Sequence, residues 1–260
     1  MLHYKIYNHS EKAEWVTFIH GAGGSSNIWF KQIKAFKSSY NVLLIDLRGH
    51  GLSKMTVKIG NKYSFDYLSQ DVISVLDFLK IDESHFIGIS LGTIIIRKIE
   101  ELRPALVKSM IMAGAILKFN LISQLLMRLG YVLHRILPYM TIYKLFAFII
   151  LPRRKHKDSR NIFIKEAKKL YRKEFIRWYR LTSDVNSILR SFRKAKIQTP
   201  LLFIMGEEDY MFLGSVKHFV RKNLSSKLNV IANCGHIVNV ESADHFNSIC
   251  LGFLTKIQKV

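Results

Sequence analysis

A chain of 260 residues, 49% hydrophobic and 23% charged, has the apolar content for one full core, which excludes a disordered or low-complexity protein. Two cysteines exclude a disulfide framework, and the first 20 residues, broken by His3, Lys5, His9, Glu11 and Glu14, contain no apolar run of the signal-peptide kind, so a cytoplasmic location is expected. The net charge of +21 is unevenly spread: residues 118–196 hold 20 basic against four acidic side chains, hence +16.

Tyr4–Tyr7 reads as a short edge strand and Trp15–Ile19 as a wholly apolar one, of the kind found in the middle of a parallel sheet. The second ends in His20-Gly21-Ala22-Gly23-Gly24-Ser25. A glycine-rich loop after a buried strand can cradle phosphate or aim backbone N–H groups at an oxyanion. The spacings of the two phosphate-binding glycine motifs are missing, which leaves the oxyanion. Asn41–Leu47 is a second buried strand, and it runs into Asp46-Leu47-Arg48-Gly49-His50-Gly51-Leu52-Ser53. Asp46, Arg48 and His50 are expected to hold that turn together by local hydrogen bonds, in preference to a catalytic role for Asp46. Tyr63–Leu79 follows as an amphipathic helix with Leu68, Val72, Val75, Leu76 and Leu79 inward.

The strand His85–Ile89 leads through Gly88-Ile89-Ser90-Leu91-Gly92 into a helix that stops before Pro104. A serine between two glycines at a strand-to-helix turn is a nucleophile elbow, which lifts the hydroxyl above the sheet edge and sets it at a helix N-terminus. After a strand at Leu106–Ala113 the pattern becomes helix after helix to Ala195. Leu121, Ile122, Leu125, Leu126, Leu129, Val132, Leu133 and Ile136 make a wide apolar face opposite Gln124, Arg128, Tyr131 and Arg135; Phe163, Ala167, Tyr171, Phe175 and Trp178 make another, backed by basic residues. Lys118, Arg128, Arg135 and Lys144 leave no window long enough for a membrane span. Alternation resumes with the strand Leu201–Met205 ending in Gly206-Glu207-Glu208-Asp209, a helix near 213–223, the strand Lys227–Ile231 ending in Asn233-Cys234-Gly235-His236, and a closing helix at Glu241–Ile257.

Working residues in parallel α/β sheets gather at the carboxyl ends of strands, where Ser90, Asp209 and His236 all fall. The H-G-x-G loop at His20, the D-x-R-G-x-G-x-S turn at Asp46, the elbow at Ser90 and the chain order Ser, Asp, His resemble the α/β-hydrolase superfamily, over essentially the whole chain outside residues 117–195. The resemblance implies an α/β-hydrolase fold: a mostly parallel sheet of about seven to eight strands flanked by helices, with a core formed by 1–116 and 196–260 and an inserted helical cap at 117–195. It also implies Ser90 as nucleophile, His236 as base, Asp209 as orienting acid with Glu207 and Glu208 as fallbacks, and backbone N–H groups of Ala22 and Leu91 as oxyanion hole. No cofactor and no metal site is expected, and the remaining histidines, among them His85, His134 and His156, are read as surface or packing residues. A serine rather than an aspartate at the elbow points to acyl transfer on an ester, thioester or lactone. Small bacterial carboxylesterases, enol-lactonases and C–C bond hydrolases share these motifs, so C–C cleavage and acyltransfer stay open, as does a non-catalytic ligand receptor on the same fold.

The expected partner is a small-molecule ester, lipid-like if the cap meets a membrane, and not nucleic acid, because the basic segment carries no recognised nucleic-acid reading motif. Apolar faces beside Arg153-Arg154-Lys155 and a basic helix also suit peripheral contact with an anionic membrane at its inner surface, against the alternative that the apolar residues only roof a site. The sequence leaves the oligomeric state open.

Overall fold

The computed structural model describes residues 1–55, 63–133, 136–183 and 185–258. Among the described residues seven strands form one sheet in the order β1-β3-β2-β4-β5-β6-β7. These are β1 (Tyr4–Tyr7), β2 (Trp15–Ile19), β3 (Asn41–Ile45), β4 (Ser84–Ile89), β5 (Val107–Ala113), β6 (Leu201–Gly206) and β7 (Ser226–Ile231). β1 runs antiparallel along the β3 edge and every other pairing is parallel. Seven is the lower of the two expected counts.

The central strands carry apolar residues on both faces because both faces are covered. Along β3, Leu43 and Ile45 enter one apolar cluster while Val42 and Leu44 enter the other. The first cluster is closed by α2 (Phe65–Phe78), α3 (Leu91–Leu102) and α9 (Leu213–Lys222), the second by α1 (Phe30–Phe36) and α11 (Ala243–Gln258). α2 begins where Ser64 Oγ accepts the Tyr67 N–H, an ordinary serine cap. The closing helix differs from expectation: α10 (Val238–Glu241) is a separate turn and α11 starts at Ala243. Glu241 folds its carboxylate back onto the Gly235 and Ile237 amides, and Ser242 leaves helical geometry at φ −134°, ψ 59°.

Between β5 and β6 lie α4 (Leu121–Leu133), α5 (Tyr139–Ile150), α6 (Lys157–Ala167), α7 (Arg172–Ser183) and α8 (Val185–Lys194), with no strand among the described residues. α8 packs into the first cluster through Val185, Leu189 and Phe192, and the Arg97 guanidinium of α3 lies over the Phe192 ring. It is the helix that returns the chain for the parallel β5–β6 pairing, so the expected boundary at 195/196 falls after an element packed on the sheet. The side chains of Leu121, Ile122, Arg128 and Tyr131, together with His134, Arg135 and Asp184, lie outside the described residues. Among the described residues no helix is long and apolar enough to cross a membrane.

Candidate active site

Ser90 is the residue before α3 and holds φ 55°, ψ −122°, a region that L residues seldom occupy. The turn is fixed by the Ser90 N–H donating to Ala113 O and by close packing at its two glycines. A Cβ on Gly92 would sit 2.5 Å from Ile19 O, and one on Gly88 would meet Ile96 Cδ1 at 2.5 Å. The glycines are therefore demanded by the approach of α3 to β2 and β4 more than by the serine's own backbone.

Asp209 follows β6 and His236 follows β7, so both reach the same end of the sheet as Ser90. His236 Nδ1–H donates to Asp209 Oδ2 at 2.7 Å, and Ser90 Oγ–H donates to His236 Nε2 at 3.0 Å. The second Asp209 oxygen, Oδ1, accepts the Phe212 N–H at 3.2 Å. The two neighbouring acids are engaged elsewhere. Glu207 accepts the Asn233 N–H, and Glu208 is held by Arg153, Lys155 and His156.

The His20 loop lies against the elbow: a Cβ on Gly21 would be 3.1 Å from Ser90 Cβ and from Ile89 O. Leu91 opens α3, so its N–H has no intrahelical acceptor. Two buried histidines shape this loop. Leu47 N–H donates to His20 Nε2 at 2.9 Å while His20 Nδ1–H donates to Gly21 O at 2.7 Å. Gly23 N–H donates to His50 Nε2 at 2.9 Å while His50 Nδ1–H donates to Arg48 O. Each ring accepts on one nitrogen and donates on the other, which only the neutral imidazole can do. Burial, and then the neighbouring His20, pushes His50 down to about 3, and burial likewise lowers His20.

Asp46 is occupied in the turn, as expected. It accepts the Ser26 and Leu52 amides and lies 3.1 Å from His3 Nδ1. Burial works against its ionised form, but these backbone donors outweigh it and hold the carboxyl below its ordinary value.

Over Ser90 lies a cavity of about 160 Å³, roofed by residues of α4 to α7 that include Leu126, Phe146, Phe163, Phe175 and Trp178. Polar ties hold this roof down. Trp178 Nε1–H donates to Arg48 O at 3.0 Å, Tyr63 O–H to Glu174 Oε2 at 2.5 Å, Ser25 O–H to Glu166 Oε2 at 2.5 Å, and Tyr143 O–H to Ala22 O at 3.3 Å. Others run from His156, buried and 3.0 Å from Glu208, the residue before Asp209, and from the Tyr210 O–H to Ile149 O. Sequence reasoning left out Glu166, Glu174 and the reach of His50 to Gly23. Each joins residues 27 to 141 positions apart, and no local pattern marks them.

A family model described as alpha/beta hydrolase fold matches residues 14–145. Over 247 residues, 93% of its length, the chain is 28% identical to the dihydrolipoyllysine-residue acetyltransferase component of the acetoin cleaving system of Pseudomonas putida, and the match spans 63% of that protein. Over 85 residues it is 36% identical to 3-oxoadipate enol-lactonase 1 of Acinetobacter baylyi, spanning 33% of this chain and 30% of the lactonase. The matches thus cover less than two thirds of the length of these curated relatives. A carboxylesterase structure from the thaumarchaeon Nitrososphaera gargenis superposes with a TM-score of 0.82 at 20% identity, covering 99% of this chain and 95% of the other. At that identity the likeness is one of fold.

Proposed function

Because the chain belongs to the α/β-hydrolase fold family, we propose that it is a serine hydrolase that cleaves carboxylic esters, thioesters or lactones through an acyl-enzyme on Ser90. The observation that carries this reading is the hydrogen-bonded series Ser90 Oγ, His236 Nε2, His236 Nδ1, Asp209 Oδ2 at the floor of an apolar cavity. In it, Ser90 Oγ attacks the carbonyl carbon as its proton passes to His236 Nε2. Asp209 keeps the other proton on Nδ1, so that Nε2 is the free base, and stabilises the imidazolium that forms. The Ala22 and Leu91 N–H groups receive the developing oxyanion, one such donor being worth about 2.7 to 4 kcal/mol in a serine protease of unrelated fold. Collapse expels the alcohol or thiol, which takes the proton from His236; water then repeats the sequence and releases the acid.

The residues at 117–195 act in this reading as a cap whose aromatic inner side selects an apolar acyl group, since a charged one would lose its water without a partner. Acyl transfer to an acceptor other than water is the second reading, favoured by the length of the match to the P. putida acetyltransferase component. The test is labelling with a fluorophosphonate, location of the adduct, and a panel of p-nitrophenyl esters that contrasts aliphatic with carboxylated acyl groups. A Ser90→Ala protein that still labels, or an intact protein that turns over no member of the panel, would overturn the proposal.

A further inference from the structure

α4 and α5 are apolar on two sides. Their inner sides, through Leu126, Phe146 and Ile150, line the cavity above Ser90. A roof needs nothing more. Yet Leu125, Leu129, Val132, Ile136, Leu145 and Phe148 are between 44% and 77% exposed. Residues 125, 129 and 132 follow helical spacing on α4 and so form one stripe, with Ile136 in the connection to α5; 145 and 148 repeat the pattern on α5, with the exposed Lys144 beside them. Large side chains clustered outward on adjacent helices, rather than scattered singly, mark an interaction surface.

Charge identifies the occupant. The segment from 118 to 196 carries 20 basic and four acidic residues. The turn after α6 and the first residues of α7 present Lys168, Arg172 and Lys173 to solvent along with Tyr171, 58% exposed. This turn is tied to the start of α5 by the Tyr139 O–H donating to Leu170 O at 2.9 Å, next to Ile136. A second copy of the chain would set one strongly positive segment against another, and nucleic acid offers no surface that buries a leucine stripe. A bilayer with anionic headgroups satisfies both the apolar and the basic part.

We infer that the outer faces of α4 and α5, with the basic turn 168–173, form a docking surface for an anionic lipid bilayer. The apolar side chains enter the headgroup boundary, the lysines and arginines meet the headgroup phosphates, and the aromatic Tyr171 sits at the interface. Docking does not depend on the chemistry at Ser90.

The test is co-sedimentation of the full chain with phosphatidylglycerol–phosphatidylcholine vesicles and with pure phosphatidylcholine vesicles. The protein is expected to pellet with the first at least tenfold more tightly than with the second, and to be released by molar salt. Leu129→Glu with Val132→Glu is expected to weaken binding at least tenfold. Arg172→Gln with Lys173→Gln is expected to weaken it roughly 30-fold, from about fivefold per basic residue near the surface. Both pairs replace exposed side chains outside the cavity, so circular dichroism and thermal midpoint serve as controls for folding. Ser90→Ala is expected to pellet like the parent, which separates failure of this inference from failure of the catalytic one. Equal pelleting with both vesicle types or with neither, undiminished binding of the glutamate pair, or a stable dimer that the glutamate pair dissociates would overturn it.

Discussion

Replacing Asp209 by Asn is the sharpest probe of the proposed chemistry, because the structure dictates which way the new amide must face. Asp209 Oδ1 accepts the Phe212 N–H, while Oδ2 accepts His236 Nδ1–H. In Asp209→Asn the carbonyl oxygen must stay on Phe212, since an NH₂ group there would confront another donor. The NH₂ group then faces Nδ1 and donates to it, which drives the imidazole proton to Nε2. That nitrogen lies 3.0 Å from Ser90 Oγ and can no longer take its proton. The same tautomer change in serine proteases costs about 10⁴-fold in kcat, or about 5.5 kcal/mol. We expect a fall of up to that size for p-nitrophenyl butyrate at pH 8, read against Ser90→Ala as the floor, with the thermal midpoint shifted by only a few degrees because size and packing are kept. A loss of less than tenfold in a folded Asp209→Asn protein would refute the role assigned to Asp209, and a larger loss in Asp46→Asn than in Asp209→Asn would name a different acid.

Ser90→Ala should abolish fluorophosphonate labelling with the fold intact by circular dichroism; Ser90→Gly should be more stable than Ser90→Ala by about 1 kcal/mol in urea unfolding, because only glycine occupies φ 55°, ψ −122° without strain. His50 should make stability rise with pH between about 3, its folded value, and 6.5, since in that window the unfolded chain binds the proton that the folded chain refuses. Its contribution should be up to about 1.4 kcal/mol per pH unit, and denaturation midpoints that do not flatten in His50→Gln would contradict it. Burial pushes the Cys234 thiol up to about 12 and Cys250 well above its ordinary value, so neither should react with Ellman's reagent at pH 8 until denaturant is added.

What could be read from the sequence was what local spacing encodes. The inner strands announce themselves as mainly apolar runs with glycines in the turns that follow, and Gly88-Ile89-Ser90-Leu91-Gly92 marks the elbow by its glycines. That Ser90, Asp209 and His236 all fall at strand ends was legible, but their roles rested on the resemblance, with Glu207 and Glu208 open beside Asp209, and the hydrogen bonds that join them needed coordinates. Illegible were contacts whose partners lie far apart and whose residue types are unremarkable. His50 looks like one more turn residue until its Nε2 is found on the Gly23 amide, and His156 like a surface residue until it meets Glu208. Glu241 reads as the first residue of a long helix, yet its carboxylate is drawn back to two amides of the loop that carries His236. The outward stripe on α4 was visible as hydrophobicity but not as exposure, because a wide apolar face does not say which part of it is covered.

The packing of α8 on the sheet makes β5, α8 and β6 a complete strand–helix–strand crossover without the four helices that precede it. Those helices then lengthen a connection that α8 itself returns to the sheet, although Trp178 and Leu181 of α7 also enter the first cluster, and loop closure charges little for length, about 0.6 kcal/mol per doubling. Such an arrangement lets the covering of the site be lengthened, exchanged or recharged while the strands that carry Ser90, Asp209 and His236 keep their register. Grafting would start between Ile116 and Val185. The concentration of +16 in this one stretch of chain is what a part free to vary on its own would show, with the rest of the chain left at +5.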